Sequence, residues 1–147
     1  MPTVSVIVPC YNEQATICLL LEAVSRQTFP IEDVEVVIAD GRSTDGTREK
    51  VTAFQGAHPE LSICLVDNPK RNIPAGLNAA LAAARGQYII RLDAHSMPIP
   101  EYVERCVTGL QAGLGENVGG VWEIKPRGKG LIQRAMAIAA AHPLGVG

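Results

Sequence analysis

Short runs rich in β-branched residues alternate with stretches of helical periodicity, and this alternation restricts the possible folds more than any other feature of the chain. The runs predict strands at residues 4–8, 34–39, 61–66 and 87–92, with a late strand around residues 118–124. Strands that alternate with helices are joined by right-handed crossovers and therefore run parallel. We predict an α/β fold in which a mainly parallel sheet carries helices on both faces.

The helices are predicted from apolar spacing and from residues typical of helix ends. From Glu13 onward, apolar positions recur on one helix face, at Ile17, Leu20, Leu21 and Val24. Further helices are predicted after the cap residues 43–47, at 75–85 with Gly86 as C-cap, at 101–111, and within the final segment 130–147. No repeat or linker interrupts the pattern, so residues 1–147 are predicted to form a single domain.

Composition excludes several classes of function. The net charge of −2 and the pI near 5.9 leave no basic surface of the kind that binds nucleic acid. No apolar stretch approaches the roughly 20 residues that a membrane-spanning helix needs. Four cysteines without a Cys-X-X-Cys pair, and a start without a basic leader, predict free thiols in a reducing compartment and hence a cytoplasmic protein.

Polar residues follow three of the predicted strands, at the edge of a parallel sheet where ligands bind. Tyr11 offers a ring that can stack on a base, and Asp40 offers an acceptor for a base or a ribose. Asp93 and His95 are two residues apart on a segment predicted to be extended, so an oxygen and a nitrogen ligand for a divalent cation would lie on one side. The polar segments also have structural interpretations. Asn12 and Glu13 can cap a helix, Asp40 and Asp45 can form turns with the glycines that follow them, and a lone carboxylate at a strand end can simply be solvated. His95 can lie at a helix entry or make a buried hydrogen bond.

The three strand-end segments carry a resemblance to a known family. They are Val-Ser-Val-Ile-Val-Pro-Cys-Tyr-Asn-Glu (4–13), Val-Val-Ile-Ala-Asp-Gly-Arg-Ser-Thr-Asp-Gly-Thr (36–47) and Gly-Gln-Tyr-Ile-Ile-Arg-Leu-Asp-Ala-His (86–95). In order and spacing they resemble the successive motifs of family 2 glycosyltransferases, whose fold is the Rossmann-like GT-A type. Residues 72–78 resemble the donor-side loop of that family, and Asp-Ala-His is similar to the form in the succinoglycan-type exopolysaccharide group.

The resemblance implies an inverting glycosyltransferase of bacterial exopolysaccharide biosynthesis. Its donor would be a nucleotide-diphospho-sugar, with a UDP-sugar favoured, and its acceptor a saccharide or a lipid-linked saccharide. The implied nucleotide-sugar site consists of Pro9, Tyr11, Glu13, Asp40, Arg71 and Asp93. A divalent cation, Mn²⁺ or Mg²⁺, is implied at Asp93 and His95. The family usually has Asp-X-Asp here, so His95 is expected to bind the metal directly, to act through water, or to position the loop.

The catalytic base of the family is a carboxylate well downstream of the metal motif, and no carboxylate after Glu104 lies in that context. We therefore expect the base and the acceptor site to lie beyond Gly147, which makes the 147 residues a donor-binding part that is inactive alone. The apolar final helix and the motifs together predict that the larger enzyme associates with the cytoplasmic face of a membrane.

Three other classes of protein share features with this pattern. A domain that binds nucleotide-sugar without catalysis is the main alternative. A dinucleotide-binding oxidoreductase and a sugar nucleotidyltransferase are both disfavoured, because the segment after the first strand lacks the glycine-rich loop that each of them uses to bind phosphates.

Overall fold

The computed structural model describes residues 1–120 and 130–140, and the chain divides into two compact units, Met1–Glu116 and Asn117–Gly147. The strands of the first unit are β1 (Val4–Cys10), β2 (Val34–Asp40), β3 (Ser62–Asp67) and β4 (Tyr88–Arg91). Its helices are α1 (Ile17–Ser25), α2 (Thr47–Ala57), α3 (Ile73–Ala83) and α4 (Tyr102–Gln111), and a 3₁₀ turn spans Ile31–Asp33. The second unit contains the helix α5 (Leu131–Ala140).

The four strands form one parallel sheet in the order β3-β2-β1-β4. β1 pairs with β2 along its whole length, from Val4 opposite Val34 to Cys10 opposite Asp40. On its other side β1 pairs with β4 only as far as Ile7. The predicted α/β class, with its mainly parallel Rossmann-like sheet, is confirmed.

Both faces of the sheet are covered by helices, as predicted. Alternate residues of a strand point to opposite faces, and the two sets of β1 and β2 residues belong to two different apolar clusters. The larger cluster packs β1 residues such as Val6 against α1, α2 and α4. The smaller one packs Ile7, Val37 and Ala39 against Ala80 of α3. The sheet therefore lies between α3 and the other three helices of the first unit.

β1 is longer than predicted. The sequence prediction ended this strand at Val8, because proline lacks the amide hydrogen that a central strand needs. In the structure Pro9 pairs with Ala39, and the strand continues to Cys10. The strand tolerates proline because β4 stops pairing at Ile7, so the other side of β1 has no partner strand at this position.

α3 begins and ends two residues earlier than predicted. Asn72 caps its start by accepting a hydrogen bond from the Ala75 amide at 2.9 Å, and Pro74 lies in its first turn. The prediction that Gly86 is the C-cap is wrong, because the helix ends at Ala83. Gly86 instead permits a close approach of backbones, since a Cβ there would lie 2.5 Å from the Ser5 nitrogen.

The remaining boundaries agree with prediction to within a few residues, apart from the late strand. Residues 118–120 form no strand, and residues 121–124 lie outside the described part of the chain. None of the helices within residues 1–120 and 130–140 is long and apolar enough to cross a membrane.

A buried carboxylate connects α3 to the sheet at the end opposite the carboxyl edge. Glu35 of β2 is 1% exposed and accepts hydrogen bonds from the Ser5 hydroxyl at 2.6 Å and the Arg85 amide at 2.6 Å. The Arg85 guanidinium donates two more, from Nε at 2.9 Å and Nη2 at 2.7 Å. Burial opposes ionisation of this carboxyl, but the bonds from Ser5 and Arg85 outweigh it and hold the pKa of Glu35 below its ordinary value.

Candidate functional site

The carboxyl ends of three neighbouring strands lie side by side at one edge of the sheet. Cys10, Asp40 and Asp67 are register partners across β1, β2 and β3. The loops that follow these residues therefore start from one line. Parallel sheets bind ligands at this edge, so the loops after β1, β2, β3 and β4 form the candidate site.

Each of the first three loops contains one non-glycine residue in the left-handed region. These residues are Asn12 with φ of 53°, Arg42 with φ of 60° and Arg71 with φ of 53°. They are the only positive-φ residues other than glycine in the described part of the chain. A side chain in this region costs on the order of 1 kcal/mol, so such residues persist where the surrounding structure fixes them, and they concentrate at functional sites.

Side chains and backbone amides join the loop after β1 to the loop after β2. The Asn12 amide donates to the Ser43 hydroxyl at 2.8 Å, and the Thr44 amide donates back to Asn12 Oδ1 at 2.9 Å. One turn further, the Glu13 amide donates to Thr47 Oγ1 at 2.9 Å. The two loops are consequently held together, and Asn12 has a structural role as the link between them.

Asp40, a predicted nucleotide contact, is completely buried at the end of β2. Its Oδ1 accepts from the Ser43 hydroxyl at 2.5 Å, and its Oδ2 accepts from the Ser43 amide at 3.1 Å and from Arg48 Nη1 at 3.3 Å. The carboxylate thus organises the loop that follows it. Contact with a base would require part of this shell to open.

The side chains of Tyr11 and Arg71 are in contact at the carboxyl edge of the sheet, although the two residues are 60 positions apart in sequence. The Arg71 guanidinium carbon lies 5.9 Å from the centre of the Tyr11 ring, within the range of a cation–π contact. The ring is 46% exposed. Gly41 supports it from below, since a Cβ on Gly41 would lie 3.1 Å from Tyr11 Cδ2. We call these three residues the aromatic platform: Tyr11 contributes an exposed ring, Arg71 a positive charge, and Gly41 the buried support.

Pro9 is less accessible than the other predicted residues. It lies on the same face of β1 as Ile7, and a Cβ built on Gly76 of α3 would be 3.5 Å from Pro9 Cβ. Pro9 is half-buried between the strand and this helix. Pro9 thus supports the loop after β1 and remains only partly exposed at the carboxyl edge.

Asp93 and His95 follow β4 in a turn, and the prediction of an extended segment is wrong. The Ser96 amide donates to the Asp93 carbonyl at 2.8 Å, and the Asp93 amide donates to the Ser96 hydroxyl at 3.2 Å. Asp93 Oδ1 lies 3.2 Å from Arg91 Nη2. The His95 ring turns toward the loop after β1, where Nδ1 lies 3.3 Å from Glu13 Oε1. Glu13 Oε2 also accepts from the Thr16 hydroxyl.

The Cys10 thiol, behind these loops, is buried and close to several carboxylates. Burial raises the pKa of the Cys10 thiol to about 12, and the negative charges of Asp40, Glu13 and Asp45 add to the effect. Cys10 therefore remains a protonated, unreactive thiol at neutral pH. An anionic ligand at this edge needs local positive charge, which Arg71 and a metal cation can supply.

Sequence reasoning missed three residues of this site: Gly41, Arg48 and Asp67. Asp67 is the last residue of β3, so the rule that identified Asp40 would have identified it too. Arg48 lies in the first turn of α2 and bonds to both Asp40 and Asp67, at 3.3 Å and 2.7 Å. No local pattern reveals that bridge, because it depends on the register of β2 and β3. The contact of Gly41 with Tyr11 likewise depends on packing.

The sheet order and the polar residues at its carboxyl edge define a Rossmann-like α/β protein with a candidate ligand site at the ends of its strands. Residues 5–143 match the profile of Glycosyl transferase family 2, and the chain belongs to that family. The resemblance read from the motifs, including the GT-A fold, is confirmed by this match and by the solved structures that the chain resembles.

Three proteins illustrate which relatives this chain is similar to. The succinoglycan biosynthesis protein ExoA of Rhizobium meliloti is 37% identical over 144 residues, which are 97% of this chain and 42% of ExoA. The mannosyltransferase PcManGT from Pyrobaculum calidifontis, solved with GDP-Man and Mn²⁺, has a TM-score of 0.70 at 36% identity, over 74% of this chain and 32% of that one. Glucosyl-3-phosphoglycerate synthase from Mycobacterium tuberculosis, solved with Mn²⁺ and UDP, has a TM-score of 0.56 at 27% identity, over 74% and 39%.

The chain thus spans about two fifths or less of the length of these relatives. The residues that match the family profile include the whole sheet except Val4, the first residue of β1, together with the loops at its carboxyl edge.

The donor atoms present suit the divalent cation that the family implies. Asp93 supplies a partly exposed carboxylate and His95 an exposed imidazole at the same edge. Within residues 1–120 and 130–140, no three His, Cys, Asp or Glu side chains converge to hold a metal. If Asp93 and His95 held the ion, coordination positions would remain for phosphate oxygens and water, which Mg²⁺ commonly keeps at phosphate sites.

Proposed function

We propose that this chain is the donor-binding part of an inverting glycosyltransferase. The donor is a nucleotide-diphospho-sugar, with a UDP-sugar favoured, and the acceptor is a saccharide or lipid-linked saccharide in polysaccharide biosynthesis. The observation that carries the proposal is the aromatic platform of Tyr11, Arg71 and Gly41 at the edge where the three fixed loops meet. The GDP-Man and UDP bound in the two solved relatives support it.

In this proposal every predicted residue of the site contributes to binding the donor. The base stacks on Tyr11, and Arg71 contacts the base or the diphosphate. Asp40 fixes the loop on the base side, and Pro9 and Glu13 line the nucleoside pocket. Asp93 binds the ribose and, with His95, would hold the cation. When bound, such a cation offsets negative charge on the leaving diphosphate.

The transfer step forms one bond and breaks one at the anomeric carbon. The acceptor oxygen attacks that carbon while its bond to the diphosphate oxygen breaks, and the electron pair leaves with the nucleoside diphosphate. A carboxylate base takes the proton of the acceptor hydroxyl. Attack opposite the leaving group inverts the configuration. We assign the base to the part of the relatives' length that this chain does not span.

Two further proposals concern the chain as a whole. Alone, the 147 residues bind nucleotide-sugar without transferring it, because the proposed catalytic base lies in the part of the relatives that this chain does not span. The complete enzyme acts at the cytoplasmic face of a membrane. The first is tested by mixing the chain with UDP-glucose, Mn²⁺ and a saccharide acceptor, where no UDP release is expected and release would contradict the proposal. The second is tested by fractionating cells, where recovery of the complete enzyme free of membranes would contradict it.

The nucleotide assignment is tested by calorimetric titration of the chain with UDP and with GDP in the presence of Mn²⁺. We expect Tyr11→Ala to weaken binding by about tenfold, since stacking on an aromatic side chain contributes about 1–3 kcal/mol per base. Tyr11→Phe is the matched control: it keeps the ring and should keep the affinity. If neither nucleotide binds the wild-type chain, the proposal fails.

Gly41→Ala tests whether the platform must lie where it does. The new methyl would be 3.1 Å from Tyr11 Cδ2 and 3.3 Å from Tyr11 Cβ, so the ring must move. We expect UDP to bind about threefold more weakly, which corresponds to less than about 1 kcal/mol. Gly56→Ala in α2 is the control, because a Cβ there would meet no atom within 4 Å outside the adjacent residues and the backbone of its own helix. It should leave the affinity unchanged and stabilise the helix by about 0.5–1 kcal/mol.

A further inference from the structure

Arg48 bridges the carboxyl ends of β2 and β3. It is the second residue of α2, and its Nη1 atom lies 3.3 Å from Asp40 Oδ2 and 2.7 Å from Asp67 Oδ1. Asp40 and Asp67 are direct register partners at the ends of β2 and β3. One guanidinium therefore binds two carboxylates from neighbouring strands at the edge where the nucleotide is proposed to bind.

The pairing with Asp40 compensates a buried charge. The Asp40 side chain has no exposed surface, and a buried carboxylate is costly unless it is paired and hydrogen-bonded. Ser43 provides the neutral hydrogen bonds, and among the ion pairs of the described residues Arg48 is the only cation that contacts Asp40. The positive charge that balances Asp40 comes from α2 rather than from the ligand loops.

The pairing with Asp67 extends the same contact to the loop that carries Arg71. Asp67 is the last residue of β3, and the next residue, Asn68, donates its amide to the Asp40 carbonyl at 2.8 Å. The Arg71 amide then donates to the Asn68 carbonyl at 3.1 Å, which closes the turn that places Arg71 over Tyr11. The hydrogen bond from Arg48 holds the pKa of the Asp67 carboxyl below its usual range.

We propose that Arg48 is a positioning residue for nucleoside recognition, which fixes Asp40 and the Asp67–Arg71 loop relative to each other. This inference rests on the proposed nucleotide site. Arg48 acts through these two partners and needs no contact with the ligand. The inference takes Arg71, which lies over the Tyr11 ring, as a contact of the base. Arg48 should therefore affect recognition of the nucleoside more than recognition of the diphosphate.

The test compares two probes on the chain and three variants, in buffer with Mg²⁺. UDP carries the nucleoside and the diphosphate, and inorganic pyrophosphate carries the diphosphate alone. We expect Arg48→Met to weaken UDP binding by about tenfold, as for loss of a charged hydrogen bond, with pyrophosphate binding changed less than about twofold. Arg48→Lys keeps the charge but lacks the guanidinium fork, so it should restore part of the UDP affinity.

A third variant covers the case in which Arg48→Met does not fold. Asp67→Asn removes one arm of the bridge at an exposed carboxylate, whose side chain is 54% exposed, and leaves Asp40 paired. It should weaken UDP binding by about threefold, again without affecting pyrophosphate. Circular dichroism verifies the fold of each variant.

The outcomes separate the inference from the proposed function. If wild-type chain binds neither UDP nor pyrophosphate, the nucleotide site itself is wrong. If UDP binds the folded variants as tightly as it binds wild type, or if both probes weaken equally, the positioning role of Arg48 is wrong while the nucleotide site stands. A selective loss of UDP affinity supports the role.

Discussion

Asp93→Ala is expected to abolish the effect of Mn²⁺ on UDP binding. For the wild-type chain we expect Mn²⁺ to tighten UDP binding by about tenfold or more, because a divalent cation is often the largest local charge at a phosphate site. Asp93 is the strand-end carboxylate of β4, partly exposed at the carboxyl edge. Its removal takes away the one carboxylate assigned to the cation. Calorimetric titrations of UDP with and without Mn²⁺ measure the change directly.

Two further variants define what the Asp93 result means. His95→Ala should reduce the Mn²⁺ effect less, because its ring already lies 3.3 Å from Glu13. An effect equal to that of Asp93→Ala would make His95 a full ligand. Glu32→Gln, in the 3₁₀ turn that precedes β2 at the opposite edge of the sheet, is the control and should behave as wild type. Binding that is independent of metal in both the wild type and Asp93→Ala would refute the assignment.

Glu35→Ala is expected to lower the free energy of unfolding by about 3 kcal/mol. The change leaves the Ser5 hydroxyl and the Arg85 amide without their buried acceptor, and an unsatisfied buried polar group costs about 1–3 kcal/mol. Arg85→Ala is the matched comparison. The Arg85 side chain is 59% exposed, so its loss should cost no more than about 1 kcal/mol. Urea denaturation measures both, and equal effects would contradict the dominance of the buried acceptor.

The same carboxylate predicts a dependence of stability on pH. The pKa of Glu35 in the folded chain lies below the ordinary value of 4.5, so the native state favours the ionised form. Its contribution to stability is complete above the unfolded-state pKa and is lost as the pH falls through the folded-state pKa. Urea midpoints measured from pH 7 downward should therefore converge for wild type and Glu35→Gln in acid. A difference that stays constant into strong acid would show that the carboxylate charge is unimportant.

The sequence predicted the sheet well because the information is local. β-Branched runs and apolar spacing identified all four strands and the first four helices, since each element buries one face in a way that the order of residues reveals. The errors fell where two elements meet. Pro9 stays in β1 because β4 is short, and Gly86 serves a contact with Ser5 rather than a helix end. Neither fact can be read from neighbours in sequence.

The functional site was likewise predicted correctly where the information is local and incompletely where it depends on contacts between loops. The strand-end rule placed Tyr11, Asp40 and Asp93 at one edge, and the structure has them there. It did not reveal that Asp40 is buried or that His95 turns toward Glu13, because both depend on how separate loops fold onto each other. Arg48 was overlooked for the same reason. Its partners are Asp40, eight residues before it, and Asp67, 19 residues after it, and only the sheet register brings them together.

The left-handed residues Asn12, Arg42 and Arg71 also bear on the entropy of binding. A loop that is disordered before it meets its ligand loses roughly 1–2 kcal/mol of backbone freedom for each residue that becomes ordered. Here the loops after β1 and β2 are cross-bonded, and the turn at Arg71 is closed by its own hydrogen bond to Asn68. This backbone entropy is already lost when the chain folds, so its loss does not weaken ligand binding. When a nucleotide binds at this edge, the main loss of conformational freedom should be that of the nucleotide itself.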